Sequence, residues 1–311
     1  MKVVFMGTMN FAVPVLQGLS ELYQVSLVVT QPDRPFGRKK VLKPTPVKEK
    51  AMELGIPLFQ PESIRKEYQR VLDEEADVII VAAYGQMIPS IILTTPKYRC
   101  INVHASLLPK LRGGAPMHKA IQRGFKETGV TIMYMADKMD SGEILSQEAL
   151  PILDSDDVGT LEEKLAILGR DLLLKTLPSV IEGTIQATPQ DLSEVTFAYN
   201  IKHEEEHLDF TQSAREIYNH VRGYHPSPLT YFLIDDILVK VYKTAIVDEI
   251  SRVDSIPGEI VEVTKKTVVV NTGQGRIALL RIGVSGKNVM DTAAFLSGDK
   301  QNLFQVGKVL K

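Results

Sequence analysis

The sequence predicts a two-part α/β protein: a wound, mainly parallel sheet covered by helices, followed by a smaller C-terminal β-barrel of the oligonucleotide-binding type. Three observations carry that prediction. Through residues 1–182, short apolar or β-branched runs alternate with stretches of helical spacing or turn residues. Within them "DVIIVAAYG", residues 77–85, is apolar on both faces, as a central strand covered on each side has to be. Beyond residue 208 the pattern changes to one helix and five short strands joined by tight turns, which suits a small closed barrel.

Residues 2–6 and 24–30 read as the opening strands. Residues 34–50 then hold Arg34, Arg38, Lys39, Lys40, Lys43, Lys48 and Lys50 against Glu49 alone. Prolines at 32, 35, 44 and 46 forbid a continuous helix there, so the segment reads as an extended basic arm able to reach phosphates; a solvated loop without a partner has the same charge pattern. Residues 77–83 and 99–104 are further strands, and 129–135 and 143–150 form two more around "DKMDSGE". Residues 157–182 read as a helix closing the first domain, with Leu161, Leu165, Leu168, Leu172 and Leu173 at three-to-four spacing.

The first domain is expected to span residues 1–188, a linker 189–207, and the second domain 208–311. In the linker the apolar periodicity fades across Thr188-Pro189 and the acidic "HEEEH". The second domain opens on "TQSAREIYNHVRGY", a helix with Thr211 as its expected cap, and continues in strands near 229–234, 237–246, 257–263, 267–271 and 276–282. Tyr224, Tyr231 and Arg222 suit either a nucleic-acid face or core packing.

Composition excludes several classes. With 44% hydrophobic and 24% charged residues in 311, the chain is an ordinary globular protein rather than a disordered one. No apolar run nears the roughly 20 residues a membrane helix needs, and "KVVFMGTMNFAVPVLQGL" is broken by Gly7, Asn10 and Pro14, so neither signal peptide nor anchor is expected. The single Cys100 rules out an internal disulfide framework and a cysteine zinc site, and points to a structural thiol in a reducing, cytoplasmic setting. A net charge of −2 argues against a generally basic nucleic-acid binder, and residues 201–311 balance 14 basic against 14 acidic groups. No Gly-x-Gly-x-x-Gly follows the first strand, against a dinucleotide-binding dehydrogenase. His203 and His207 lack a third ligand and read as a solvated face, so no metal is expected.

The chemistry concentrates in "INVHASLLPKLRGGAP", residues 101–116. Side chains alternate along a strand, so Asn102, His104 and Ser106 share one face at a carboxyl end, where wound sheets bind ligands. An Asn and a His pointing together can donate to an oxygen that becomes negative during acyl transfer. Asp140, on the "DKMDSGE" turn, is a candidate to orient that histidine or handle its proton. From the residues alone a hydrogen-bonded structural histidine and a routine Asp-Ser-Gly turn are the commoner readings.

"NVHASLLPKLRGGAP" resembles the N-x-H-x-S-L-L-P-x-x-R-G-x-x-P signature of the folate-dependent formyltransferases, and Asp140 stands in that family's D-x-G context. "GTMNFA", "TQPDRPFGRKKVLKPTPVK", "AAYGQMIP", "GVTIMYM" and "LDFTQSAREIYNHVRGYHPSP" follow the members that act on charged initiator tRNA, in order along nearly the whole chain. The resemblance implies the Rossmann-like formyltransferase fold. It further implies transfer of the formyl group of 10-formyltetrahydrofolate to the α-amino group of methionine on initiator Met-tRNA, for translation initiation. It implies catalytic roles for Asn102, protonated His104 and Asp140, a folate pocket at Ser106, Leu107, Leu108, Pro109, Tyr84 and Gly85, and tRNA contacts by Arg34, Arg38, Lys39, Lys40 and Lys43, with Arg38 central. Neither a membrane nor an obligate protein partner is implied. The chain departs from the family pattern at Met9-Asn10, where Pro-Asp is usual, and at "HPSPLTYF", which lacks the usual Trp and Gly.

Two rival readings remain. A formyltransferase acting on a nucleotide-linked amino sugar shares the catalytic trio but has no use for the basic arm, and one acting on glycinamide ribonucleotide would end after the first domain. A noncatalytic folate- or RNA-binding protein keeps pocket or arm without needing Asn102, His104 and Asp140 together.

Overall fold

The computed structural model describes residues 1–36, 41–250, 256–299 and 302–311. Among the described residues nine strands come before the second domain: β1 (Lys2–Gly7), β2 (Gln24–Val29), β3 (Arg34–Phe36), β4 (Val41–Lys43), β5 (Leu58–Phe59), β6 (Val78–Ala82), β7 (Cys100–His104), β8 (Glu127–Tyr134) and β9 (Ile144–Pro151). Helices α1 (Ala12–Leu22), α2 (Pro46–Glu53), α3 (Gln69–Leu72), α4 (Ser90–Thr94), α5 (Pro116–Gln122) and α6 (Val158–Glu182) alternate with them. Seven of the strands form one sheet in the order β5-β2-β1-β6-β7-β8-β9. It is parallel from β5 to β7, and β8 runs antiparallel to both its neighbours. The wound, mainly parallel sheet is thus present, with one reversed strand beside the N-x-H strand.

The sheet is buried on both sides because its strands are apolar on both faces. Val4, Met6, Val29, Ile79 and Cys100 belong to one core, each at most 1% exposed, while Phe5, Ile80 and Ile101 on the opposite face are fully buried. Cys100 is the expected structural thiol, since burial drives its ionisation far above the ordinary range. Gly169 lets α6 approach β7 closely: a Cβ there would lie 2.9 Å from a Val103 methyl. From β1 the chain first winds outward to β2 and β5, then crosses back to β6 and β7. That reversal puts the carboxyl ends of β1, β6 and β7 at the crevice where wound sheets bind ligands.

The described ends of the basic arm lie in regular structure. β3 and β4 pair antiparallel, Arg34 opposite Lys43, and Lys48 and Lys50 lie in α2. Thr45 caps that helix by accepting the Lys48 N–H at 3.1 Å, and Pro46 takes the first helical position, where its missing N–H costs nothing.

The chain divides into two compact units, one of Met1–Pro116, Glu127–Pro151 and Leu161–Tyr199, the other of Met117–Lys126, Ile152–Thr160 and Asn200–Lys311. The second contains α7 (Ala214–Tyr224), strands β10 (Thr230–Ile234), β11 (Ile237–Asp248), β12 (Ile260–Val263), β13 (Val268–Asn271), β14 (Arg276–Val284) and β15 (Met290–Asp291), and α8 (Thr292–Gly298). The strands are antiparallel in the order β10-β11-β14-β13-β12, with β15 on β14. The C-terminal residues join the two edges: Lys311 exchanges hydrogen bonds with Leu233 of β10, while Lys308 and Leu310 bond Ile260 and Gly258 at β12. Phe232, Val239, Val241, Val270, Ile277 and Leu279 fill the interior.

Thr211 is not the cap of α7. Ser213 is, in a reciprocal capping box: Ser213 Oγ accepts the Glu216 N–H at 3.2 Å and Glu216 accepts the Ser213 N–H at 2.8 Å. Thr211 instead donates its own N–H and hydroxyl to Asp209. Tyr224 is core, with no exposed surface, and Arg222 is spent on the carbonyls of Leu153 and Asp156, so neither forms a nucleic-acid face.

Candidate active site

β7 ends at His104, and pleating turns Asn102 and His104 to the same side, 8% and 6% exposed. The Asn102 carboxamide makes no hydrogen bond among the described residues, so its NH2 group is available to donate. His104 Nε2 lies 3.2 Å from the Leu111 carbonyl oxygen. A carbonyl only accepts, so this nitrogen carries a hydrogen and donates it, and Nδ1 is left as the nitrogen that exchanges protons. Nδ1 faces Asp140 Oδ1 at 3.8 Å.

Asp140 is held at its carboxylate and at its carbonyl. Its Oδ2 accepts the Gly113 N–H at 2.8 Å, and its backbone adopts φ 48°. Its carbonyl accepts from Gln190 Nε2 at 2.8 Å; the same amide also donates to Gly142 O at 2.8 Å. Arg112 grips the other end, Nε and Nη2 both donating to Gln190 Oε1 at 3.0 and 2.7 Å. Asn102, His104 and Asp140, 38 residues apart at the extremes, are therefore brought together through the loop that follows β7.

Arg112 stands in the signature without an expected role, and Gln190 is not singled out by the sequence because it sits where apolar periodicity fades. The expected linker is in fact ordered against this loop. Arg112 N–H donates to Thr196 O at 2.9 Å, Ala198 N–H to Arg112 O at 2.7 Å, and Ala198 is fully buried. Thr131 and Gln147 also escaped notice. Thr131 Oγ1 donates to Ser106 O at 2.6 Å and accepts Leu108 N–H at 3.0 Å, while Gln147 Nε2 donates to Leu108 O at 2.8 Å.

The residues expected around folate divide in two groups. Ser106 donates its hydroxyl to Lys110 O at 2.7 Å and is fully buried, and Leu108 is 3% exposed with both backbone groups used. Together with Leu107, whose carbonyl accepts from Lys110, and the cis bond before Pro109, they shape the loop from within. The Tyr84 ring is likewise core, burial driving its phenol well above the ordinary range. Its carbonyl accepts from Thr8 Oγ1 at 2.8 Å and Gln31 Nε2 at 2.9 Å. By contrast the N–H groups of residues 84–87 make no hydrogen bond among the described residues, at a bend where Ala83 and Gly85 have φ 44° and 85°. A planar heterocycle with donors and acceptors along one edge fits such a backbone, as a pterin would.

Of the basic residues, Arg34 pairs with Glu62 at 3.1 Å on the surface, and Lys43 lies in β4. Arg38, Lys39 and Lys40 lie outside the described residues. A cavity of about 670 Å³ within the second unit is lined in part by Asp157, Arg222, His225, Lys243 and Arg281, and His225 is already paired with Asp157 at 2.8 Å. His203 bonds Glu206 and stacks on Tyr231. No group of three or more His, Cys, Asp or Glu placed to hold a metal occurs among the described residues.

Residues 1–177 match the model of the family described as formyl transferase, and residues 200–300 that of the formyl transferase C-terminal domain. The chain belongs to the formyl transferase family. Among similar proteins are a methionyl-tRNA formyltransferase of Staphylococcus aureus, 46% identical over 99% of both chains, and one of Macrococcus caseolyticus, 46% identical over 97% of both. Solved structures share the formyl transferase fold at low identity. A sugar 3N-formyl transferase, studied with dTDP and 5-N-formyl-THF, superposes with TM-score 0.67 and 19% identity, covering 93% of this chain and 99% of that one. HypX from Aquifex aeolicus, in complex with tetrahydrofolic acid, gives 0.66 and 16%, covering 99% and 50%. The one-carbon donor of the formyl transferase family is 10-formyltetrahydrofolate. No described helix is long and apolar enough to cross a membrane.

Proposed function

We propose that this chain transfers the formyl group of 10-formyltetrahydrofolate to the α-amino group of methionine on initiator Met-tRNA. The observation that carries the reading is the convergence of Asn102, His104 and Asp140 at the end of β7, in a chain 46% identical over its length to methionyl-tRNA formyltransferases. When bound, the folate supplies the formyl carbon that the amine attacks. Asn102 donates its NH2 group to the formyl oxygen, whose charge grows during attack; one such donor contributes about 3 kcal/mol. His104, with Nε2–H fixed on Leu111 O, acts through Nδ1, which takes the proton from the attacking amine and passes it to the folate nitrogen as the bond between that nitrogen and the formyl carbon breaks, so that tetrahydrofolate leaves neutral at that nitrogen. Asp140 steadies the ring when it is cationic, and Gly113 N–H keeps the carboxylate aimed.

The backbone of residues 84–87 holds the pterin edge, while Ser106, Leu107, Leu108 and Pro109 set the floor through their internal bonds. Arg34, Arg38, Lys39, Lys40 and Lys43 take the tRNA backbone, so tRNA binding weakens steeply with salt. In this reading residues 1–188 are the catalytic part, 189–207 the connection and 208–311 a barrel that backs the tRNA, and the protein works in the cytoplasm.

The test offers the purified protein 10-formyltetrahydrofolate with charged initiator Met-tRNA, charged elongator Met-tRNA and a nucleotide-linked amino sugar, each separately. Formylation of the initiator alone supports the reading. Transfer to the sugar alone keeps the trio and discards the tRNA, and tight folate binding without turnover discards the catalysis.

A further inference from the structure

We infer that Gln31 is a positioning residue for the folate: with Thr8 it fixes the Tyr84–Gly85 peptide so that the Gly85 N–H points at the pterin edge. Gln60 and the neck of the basic arm hold Gln31 in turn. This role rests on the pterin reading of residues 84–87 above and names the side chains that aim them. Thr8 follows β1, Gln31 follows β2 and Tyr84 lies just beyond β6, three strands that are neighbours in the sheet. Thr8 Oγ1 and Gln31 Nε2 both donate to the Tyr84 carbonyl, at 2.8 and 2.9 Å, and the Gln31 N–H donates to Thr8 Oγ1 at 3.4 Å. The three residues thus close a ring of hydrogen bonds at the carboxyl end of the sheet.

The bend needs that support. Ala83 and Gly85 have φ 44° and 85°, and this region is costly for an alanine, so the turn is held in place by bonds from outside it. The Tyr84–Gly85 peptide is trans, and a planar trans unit carries its C=O and N–H on opposite sides. Pinning the Tyr84 oxygen against Thr8, itself 6% exposed, and Gln31 therefore turns the Gly85 N–H away from them, where it makes no hydrogen bond among the described residues. The Gln31 amide also fills the place that a Cβ on Gly85 would take.

The other end of Gln31 is fastened to the arm. Its carbonyl accepts from Gln60 Nε2 at 2.9 Å, and the same amide donates to Asp33 Oδ1 at 2.8 Å. Asp33 Oδ2 takes the Lys48 ammonium at 2.6 Å, and the Thr30 and Thr45 hydroxyls bond each other at 2.8 Å, so the two roots of the arm are clasped. The bonds from Lys48 and Gln60 hold the Asp33 carboxyl below its ordinary 3.8, which keeps the clasp made at neutral pH. Bonded at its backbone and at its amide, Gln31 keeps one conformation, and little freedom is left to lose when folate arrives. The pterin edge lies several bonds from the nitrogen that carries the formyl group, so the contact serves bound folate and transition state alike.

The experiment titrates tetrahydrofolate into wild type, Gln31→Met, Thr8→Val, Thr8→Ser, Gln60→Met and the double variant Gln31→Met, Gln60→Met by calorimetry, with no tRNA present. Melting curves check that each variant folds. Gln31→Met and Thr8→Val each remove one donor and should weaken binding about 3- to 10-fold. Thr8→Ser keeps the hydroxyl and should match wild type. Gln60 bonds Gln31 and Asp33 and not the bend, so Gln60→Met should weaken binding about 2- to 5-fold, and the double variant should bind as Gln31→Met does. In the formyl-transfer assay Gln31→Met should raise KM for 10-formyltetrahydrofolate and keep kcat. Unchanged binding in Gln31→Met, Thr8→Ser as weak as Thr8→Val, additive losses in the double variant, or a fall in kcat with KM unmoved overturns the positioning role. Wild-type protein that does not bind tetrahydrofolate overturns the pterin reading beneath it, a separate result obtained before any variant is made.

Discussion

Replacing Gln190 with leucine removes four hydrogen bonds at once: two from Arg112 into Oε1, and two from Nε2 to the carbonyls of Asp140 and Gly142. Gln190 and Arg112 are 8% and 7% exposed, so water replaces these bonds poorly. The guanidinium fork on a single oxygen counts as one charged interaction, about 1.5–3 kcal/mol, and each carbonyl bond contributes about 0.5–1.5 kcal/mol. The sum is about 2.5–6 kcal/mol, and local relaxation brings the expected loss to about 2–4 kcal/mol. At roughly 2–4 °C per kcal/mol, Tm should fall by roughly 5–15 °C. Because the turn carrying Asp140 loses its tether, kcat should fall about 10- to 100-fold in the formyl-transfer assay. Gln190→Glu is the control. Its carboxylate still accepts from Arg112 but has no proton for the carbonyls, and protonation restores one donor, so its Tm deficit should shrink from about pH 8 to about pH 5. If Gln190→Leu melts within about 1 °C of wild type with unchanged kcat, Gln190 is not what positions Asp140.

Gly113→Ala should cost about 2 kcal/mol or more and depress kcat, because φ is 125° and the new Cβ would lie 2.5 Å from the Ala198 carbonyl oxygen; an unchanged urea midpoint would refute the packing described. Burial raises the Glu162 carboxyl above its ordinary 4.5, against the opposing hydrogen bond from Phe11 N–H at 3.1 Å. The folded state therefore holds the proton more tightly, and this group's stabilising effect is full below pH 4.5 and fades as pH rises through the raised value. Glu162→Gln, which keeps the acceptor, should flatten that dependence and raise Tm at neutral pH; parallel stability curves for the two proteins would sink the idea. Burial lowers His118 and His220 below their ordinary 6.5, so their contribution is present above pH 6.5 and lost as pH falls through the depressed values. The double variant His118→Gln, His220→Gln should unfold at lower pH than wild type in an acid titration, and an unshifted midpoint counts against it.

Strands and helices were legible where one period dominates. β1 and β6 are short apolar runs with nothing to compete, β7 alternates Ile101 and Val103 with its polar pair at strand period, and α6 carries its leucines at helical spacing throughout. The cap of α7 was misread because Thr211 and Ser213 are both good caps; the glutamate three residues beyond Ser213 decides it, and that signal was in the sequence. The pairing of β3 with β4 hides behind four prolines, since a proline suggests a break yet Pro35 occupies a strand whose described pairing partner is a single neighbour. At the site, Asn102, His104 and Asp140 could be chosen from residue type and resemblance. Gln190, Thr131, Gln147 and the tie between Arg112 and Thr196 could not, because bonds spanning 16 to 85 residues leave no local pattern.

The second compact unit takes Met117–Lys126 and Ile152–Thr160 from the midst of the segment that otherwise builds the first, so the chain passes between the units five times. Lys119 shows what this entails: its ammonium, 8% exposed, rests on Glu205, Tyr224 and Gln122, two of which come from the C-terminal stretch. A gene cut after codon 199 would leave that lysine without its carboxylate and strip α7 and the barrel of two segments they pack with. Inheritance of this architecture is accordingly all or nothing. A lineage that exchanges its C-terminal part by recombination at a single joint must also find, scattered through the first 160 codons, the nineteen that belong to the part it is replacing.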